Sequence, residues 1–109
     1  LKTKTKYTMN IQLNTDKNIE GHERLENYID GLVKDKMARF ESHLTRIEIH
    51  LSDENAGKEG PEDKKCVMEA RPKNMQPIVV SSNADTVEKS ITTAIGKLKT
   101  ALESRINKS

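Results

Sequence analysis

The chain has no tryptophan, a single cysteine and only three aromatic residues in 109. Each scarcity closes off a class of function. Cys66 alone cannot form an internal disulfide or a cysteine-paired metal site. It falls inside an alternating strand pattern, where a free cysteine acts as a small buried hydrophobe. Tyr7, Tyr28 and Phe40 are too few to stack a series of unpaired bases, the usual device of single-strand readers. No stretch is long or apolar enough for a signal peptide or a membrane helix. The expected compartment is therefore the cytoplasm, with no membrane partner.

Catalytic constellations are missing too. His22, His43 and His50 have no metal-ligand spacing, and neither a glycine-rich phosphate loop nor a nucleophile motif occurs. His43 falls at a helix end, where capping or simple exposure explains it, and His50 falls on a wet strand face. Glu48 and Glu69 fit cross-strand neighbours, but a flat sheet supplies no pocket for paired-carboxylate chemistry. The expectation is a protein that is not an enzyme, with no metal, no cofactor and no small-molecule substrate.

What is present is charge and a regular pattern. The net charge of +2 is too small to argue for a polyanionic partner, but the distribution is uneven. Residues 43–63 carry six acids against Arg46 and Lys58, whereas residues 64–84 carry four bases against Glu69. The last 25 residues add Lys89, Lys97, Lys99, Arg105 and Lys108 against Asp85, Glu88 and Glu103. A basic side opposite an acidic loop would orient a protein on a polyanion. Ordinary solvated charge explains the same numbers, and on charge alone that reading carries more weight.

One domain of 109 residues can bury one core. The segment 7–15, YTMNIQLNT, alternates Met9, Ile11 and Leu13 against polar neighbours and predicts a strand with one wet side. Leu25, Ile29, Leu32, Val33, Met37 and Phe40 recur at helical steps and predict an amphipathic helix over 20–42. Strands follow at 44–53, 64–72 and 77–82, the second of them ended by Pro72. The acidic loop at 53–63, with two glycines and a proline, separates the first two of these. A final helix of more than 20 residues carries Val87, Ile91, Ala94, Ile95, Leu98, Leu102 and Ile106 on one stripe. Its predicted cap is Asn83 or Asp85, with Glu88 in a box-like position after Asp85. Residues 1–6, LKTKTK, read as a disordered leader, and Met75, in the KNMQP turn, as exposed.

The order β-α-β-β-β-α predicts an α+β fold: a two-layer sandwich with both helices on one face of a four-stranded sheet and the other face in water. That wet face would carry Thr8, Asn10, Gln12, Arg46, Glu48, His50, Lys65, Glu69 and Arg71. It is mixed in sign and almost free of rings, so basic helix edges are the better candidates for contact with RNA. An open edge strand leaves a homodimer as the alternative to the expected monomer.

This order, with MNIQ opening the first strand, resembles the ribosome hibernation-promoting and ribosome-associated inhibitor proteins of bacteria, once described as sigma-factor modulation proteins. The similarity spans residues 7–108. KMARFESHL (36–44) is similar to the family's helix ending in lysine or arginine plus an aromatic, and AIGKLKTAL (94–102) to its second helix. CVMEARP with PIVV is similar to the third and fourth strands of short members. The resemblance implies a stress or stationary-phase factor that occupies the mRNA and tRNA channel of the small ribosomal subunit by steric means. It also implies that basic helix residues face ribosomal RNA. Lys36, Arg39 and Lys97 match that pattern, while Lys99 and Lys89 are basic where it is looser. Thr100 stands where the family tends to place arginine, and the 53–63 loop is longer and more acidic than usual. Those departures motivate a competing expectation: a protein-interaction module that has kept the fold and lost the ribosome.

Overall fold

The computed structural model of the chain describes residues 10–54 and 64–107. The elements are β1 (Asn10–Thr15), α1 (His22–Lys36), a 3-10 segment (Ala38–His43), β2 (Leu44–Asp53), β3 (Lys64–Pro72), β4 (Ile78–Ala84) and α2 (Val87–Asn107). The strands stand in the order β1-β2-β3-β4. β1 is parallel to β2 and the other pairs are antiparallel. Connectivity dictates this. A helix carries the chain from the end of β1 back to the start of β2, which leaves those two strands parallel, whereas the later strands follow one another by reversal.

Both helices cover one face of the sheet, as the alternation predicts. Ile47, Ile49 and Leu51 of β2 and Cys66, Met68 and Ala70 of β3 point inward and are at most 2% exposed. Leu25, Ile29 and Val33 of α1 meet them from above, together with Ile91, Ala94, Ile95, Leu98 and Leu102 of α2. With Phe40 the one buried ring among the described residues, the core relies on Met37 and Met68 for volume, a use suited to flexible thioethers. Burial pushes the Cys66 thiol up to about 12 because the thiolate would lose its water. Cys66 is thus inert core, as its strand position implies.

β2 and β3 fall on the predicted residues, β4 runs from Ile78 to Ala84 instead of over 77–82, and three further details differ. The first helix stops at Lys36 instead of running to 42. Beyond it, Met37 and Phe40 are both buried, three residues apart. A 3-10 turn places residues three apart on one face, so this segment buries both and delivers Leu44 to the sheet in the next step. At the other helix, Thr86 supplies the cap, its Oγ1 accepting from the Lys89 N–H at 3.1 Å. Asp85 instead meets Lys89 Nζ at 3.2 Å, and Asn83 donates to Glu54 at 3.4 Å. Met75 is half-buried, not exposed. α1 starts without a side-chain cap after Gly21, whose φ of 75° is a left-handed conformation that favours glycine. The proposed leader, Thr8 and Met9 lie outside the described residues, as does most of the acidic loop.

Candidate nucleic-acid interface

Each helix follows a strand running the same way, β1 for α1 and β4 for α2, and each runs back against it. The two helices are therefore parallel to each other. Ion pairs mark both ends of the cleft between them. Arg24 Nη1 meets Glu88 Oε2 at 3.4 Å near the N-terminal ends, and Arg39 Nη1 meets Glu103 Oε2 at 2.9 Å near the C-terminal ends. Parallel helices also align their dipoles, with the negative ends together. Lys34, Lys36 and Arg39 stand at the end of α1 and just past it and Arg105 in the last turn of α2, interspersed with Asp35, Glu41 and Glu103. The opposite end holds Glu20, Glu23, Asp85 and Glu88.

The helical repeat of about 100° per residue sorts the cations of α2. Glu88, Thr92, Lys99 and Glu103 share the flank turned toward α1, which the two ion pairs identify. Lys97 lies on the opposite flank, where its Nζ donates to the Ser81 carbonyl of β4 at 2.8 Å. Lys89 points outward near the acidic end and is held by Asp85. Of the five residues singled out in the sequence, Arg39 and Lys99 therefore lie beside the interhelical cleft, Lys36 is exposed in the last turn of α1, and Lys97 and Lys89 stand apart from them. Lys36 and Lys99 form no ion pair among the described residues. Arg39 lies with its guanidinium 5.0 Å from the Phe40 ring centre, a cation–π arrangement that orients it. Thr100 is exposed on the outer side of α2. Glu103 did not stand out in the sequence; its four-residue step from Lys99 placed it on that lysine's flank, but its partner lies 64 residues away.

The open sheet face is organised differently. Register sets Arg46 beside Arg71 and Glu48 beside Glu69. Like charges directly opposite repel, and the side chains resolve this along the strands. Glu48 is bonded by Arg46 and approached by Arg71 at 3.9 Å and by His50 at 3.7 Å. Arg71 also meets Glu69 at 3.3 Å, and Arg46 donates to Gln12 at 3.1 Å. Two arginines against two glutamates leave this patch neutral, without an excess of charge for a polyanion.

The three histidines fall on three separate elements, α1, the 3-10 segment and β2. His22 Nδ1 sits 3.0 Å from Thr15 Oγ1, and His43 is exposed at the end of the 3-10 segment. No group of three or more His, Cys, Asp or Glu among the described residues could hold a metal ion. A hollow of about 560 Å³ beside the start of α2 is lined by Asp85, Glu88 and Lys89, already engaged with one another or with Arg24. No described helix is long and apolar enough to cross a membrane.

Fold and site together define a helix-backed, four-stranded domain with an ion-paired interhelical cleft and a neutral open face. Residues 13–109 match the family described as Sigma 54 modulation protein / S30EA ribosomal protein, and the chain belongs to that family. This is the ribosome-associated family that the residue patterns resemble. The fold is shared with the N-terminal domain of Thermus thermophilus Protein Y, at 17% identity and a TM-score of 0.69, covering 88% of this chain and 98% of that one. A ribosomal subunit interface protein from Coxiella burnetii is similar at 17% identity and a TM-score of 0.63, with 91% and 99% covered. No curated protein sequence matches the chain significantly.

Proposed function

We propose that this protein is a hibernation factor that binds the small ribosomal subunit and occupies the channel used by mRNA and tRNA, blocking translation in stressed or stationary-phase bacteria. It acts in the cytoplasm as a monomer, by occupancy and without chemistry, and its partner is ribosomal RNA. The observation that carries this reading is membership of a ribosome-associated family, supported by Arg39 and Lys99 beside the interhelical cleft and Lys36 in the last turn of α1. The molecule is also a thin slab, 45 × 36 × 17 Å across its Cα atoms, a shape suited to a groove.

Each phosphate neutralised by lysine or arginine releases counterions. Three contacts therefore imply a fall in affinity of roughly 1.5 decades between about 50 and 200 mM salt. Co-sedimentation of the protein with small subunits at those two salt concentrations tests the reading. Binding that weakens by that order supports it, and no binding at the lower salt rejects it.

One observation favours the second reading, a protein-interaction module that has lost the ribosome. Arg39, Lys89 and Lys97 are already engaged within the chain, by Glu103, Asp85 and the Ser81 carbonyl. Under that reading the partner docks on the open face, where Val79 is 60% exposed beside the charged network. Failure to bind subunits, with the fold intact, is its signature.

A further inference from the structure

The partner of Arg39 is an anion placed inside a surface read as anion-binding. Glu103 Oε2 accepts from Arg39 Nη1 at 2.9 Å, with the arginine side chain 58% exposed and the glutamate 36%. So exposed a pair adds little to fold stability, because water competes for both partners. Its position matters more than its strength. It closes one end of the interhelical cleft beside Lys99, with Lys36 in the last turn of α1, and neither lysine has an internal counter-ion among the described residues. A phosphate reaching Arg39 must therefore undo one charge contact to make another.

We propose that Glu103 is an autoinhibitory residue of this surface: an internal carboxylate that phosphate has to displace from Arg39. The inference rests on reading this end as an RNA-binding surface. A sparse or flexible polyanion offers Arg39 one phosphate at a time and gains little from the exchange. Structured RNA presents phosphates densely enough to meet Lys36 and Lys99 together, which offsets the lost pair. A partner that displaces Glu103 bears the whole cost of the lost pair, so the carboxylate lowers affinity most for the ligand that uses Arg39. Glu88 provides an internal control. It pairs with Arg24 in the same manner at the other end of the cleft, 11 residues before Lys99 and so about 16 Å away along the helix.

The test compares the wild type with Glu103→Gln, Glu88→Gln, Arg39→Gln and the Arg39→Gln/Glu103→Gln double variant. The probes are an RNA duplex of about 20 base pairs and a poly(U) strand with the same number of phosphates, titrated with salt by fluorescence anisotropy. Glu103→Gln is expected to tighten duplex binding about three- to fivefold, the full cost of an exposed pair, and poly(U) binding by no more than that. In the Arg39→Gln background the same change should shrink to the effect of Glu88→Gln, less than about twofold. An equal effect with and without Arg39, an equal effect of Glu88→Gln, or no tightening at all would overturn the proposal. So would failure of every variant to bind either RNA.

Co-sedimentation of the same proteins with small subunits separates this from the proposed function. Subunit binding without a Glu103 effect removes only the inference. An Arg39-dependent Glu103 effect on RNA without subunit binding removes only the ribosomal reading.

Discussion

The open sheet face and the C-terminal end of the helix pair both set arginines against glutamates, and they differ in what is left over. On the sheet, Glu48 is 15% exposed and shared by Arg46, Arg71 and His50, and the patch has no net charge. At the helix end, Arg39 and Glu103 cancel each other while Lys36 and Lys99 have no counter-ion among the described residues. A count of basic residues would rank the two regions alike. Placement ranks them, because a charge already neutralised by its neighbours displaces no counterions from RNA.

The contrast can be broken by substitution. The largest effect is expected from Lys36→Glu combined with Arg39→Glu. This should lower small-subunit affinity by roughly a hundredfold at about 100 mM salt, since two of three contacts are replaced by repulsion. Sedimentation assays measure the loss, and circular dichroism should show the fold unchanged. Glu48→Gln should act in the opposite sense, leaving subunit binding alone and costing roughly 1–2 kcal/mol of stability, because two neighbouring guanidinium groups lose their shared acceptor. The midpoint of urea unfolding reads that cost, and an unchanged midpoint would show that the network carries no stability. The smallest effect is expected from Lys97→Ala, within about threefold in subunit affinity. Lys99→Ala should cost more, up to the roughly fivefold effect of one lost phosphate contact at moderate salt. The reverse order would move the RNA surface to the β4 flank.

Much of the fold could be read from period alone. β2 and β3 alternate without interruption, so their inward sets, Ile47, Ile49, Leu51 and Cys66, Met68, Ala70, fixed both face and extent. The first helix was overextended because Met37 and Phe40 suit an α-helical stripe and a 3-10 turn equally, and only the arrival of Leu44 in the sheet decides between them. Likewise Asn83, Asp85 and Thr86 are all competent caps. The choice falls to Thr86 because β4 continues through Ala84, which spends Asn83 on the strand. The candidate site was legible as a set of residue types and less so as a place. Lys97 and Lys99 are two residues apart in sequence yet stand on opposite flanks of α2, and which flank faces α1 depends on contacts such as Arg39 with Glu103 that no local pattern encodes.

The bond from Lys97 to the Ser81 carbonyl bears on a hazard unrelated to RNA. β4 is the last strand in the sheet order, and an unpaired strand flank is a template onto which another chain can add, the first step toward fibrous aggregation. The ammonium group bonded to the Ser81 carbonyl sets a full positive charge beside that strand, and lysine at an edge is one of the devices that discourage such addition. Here the charge is drawn from the helix above and not from the strand itself.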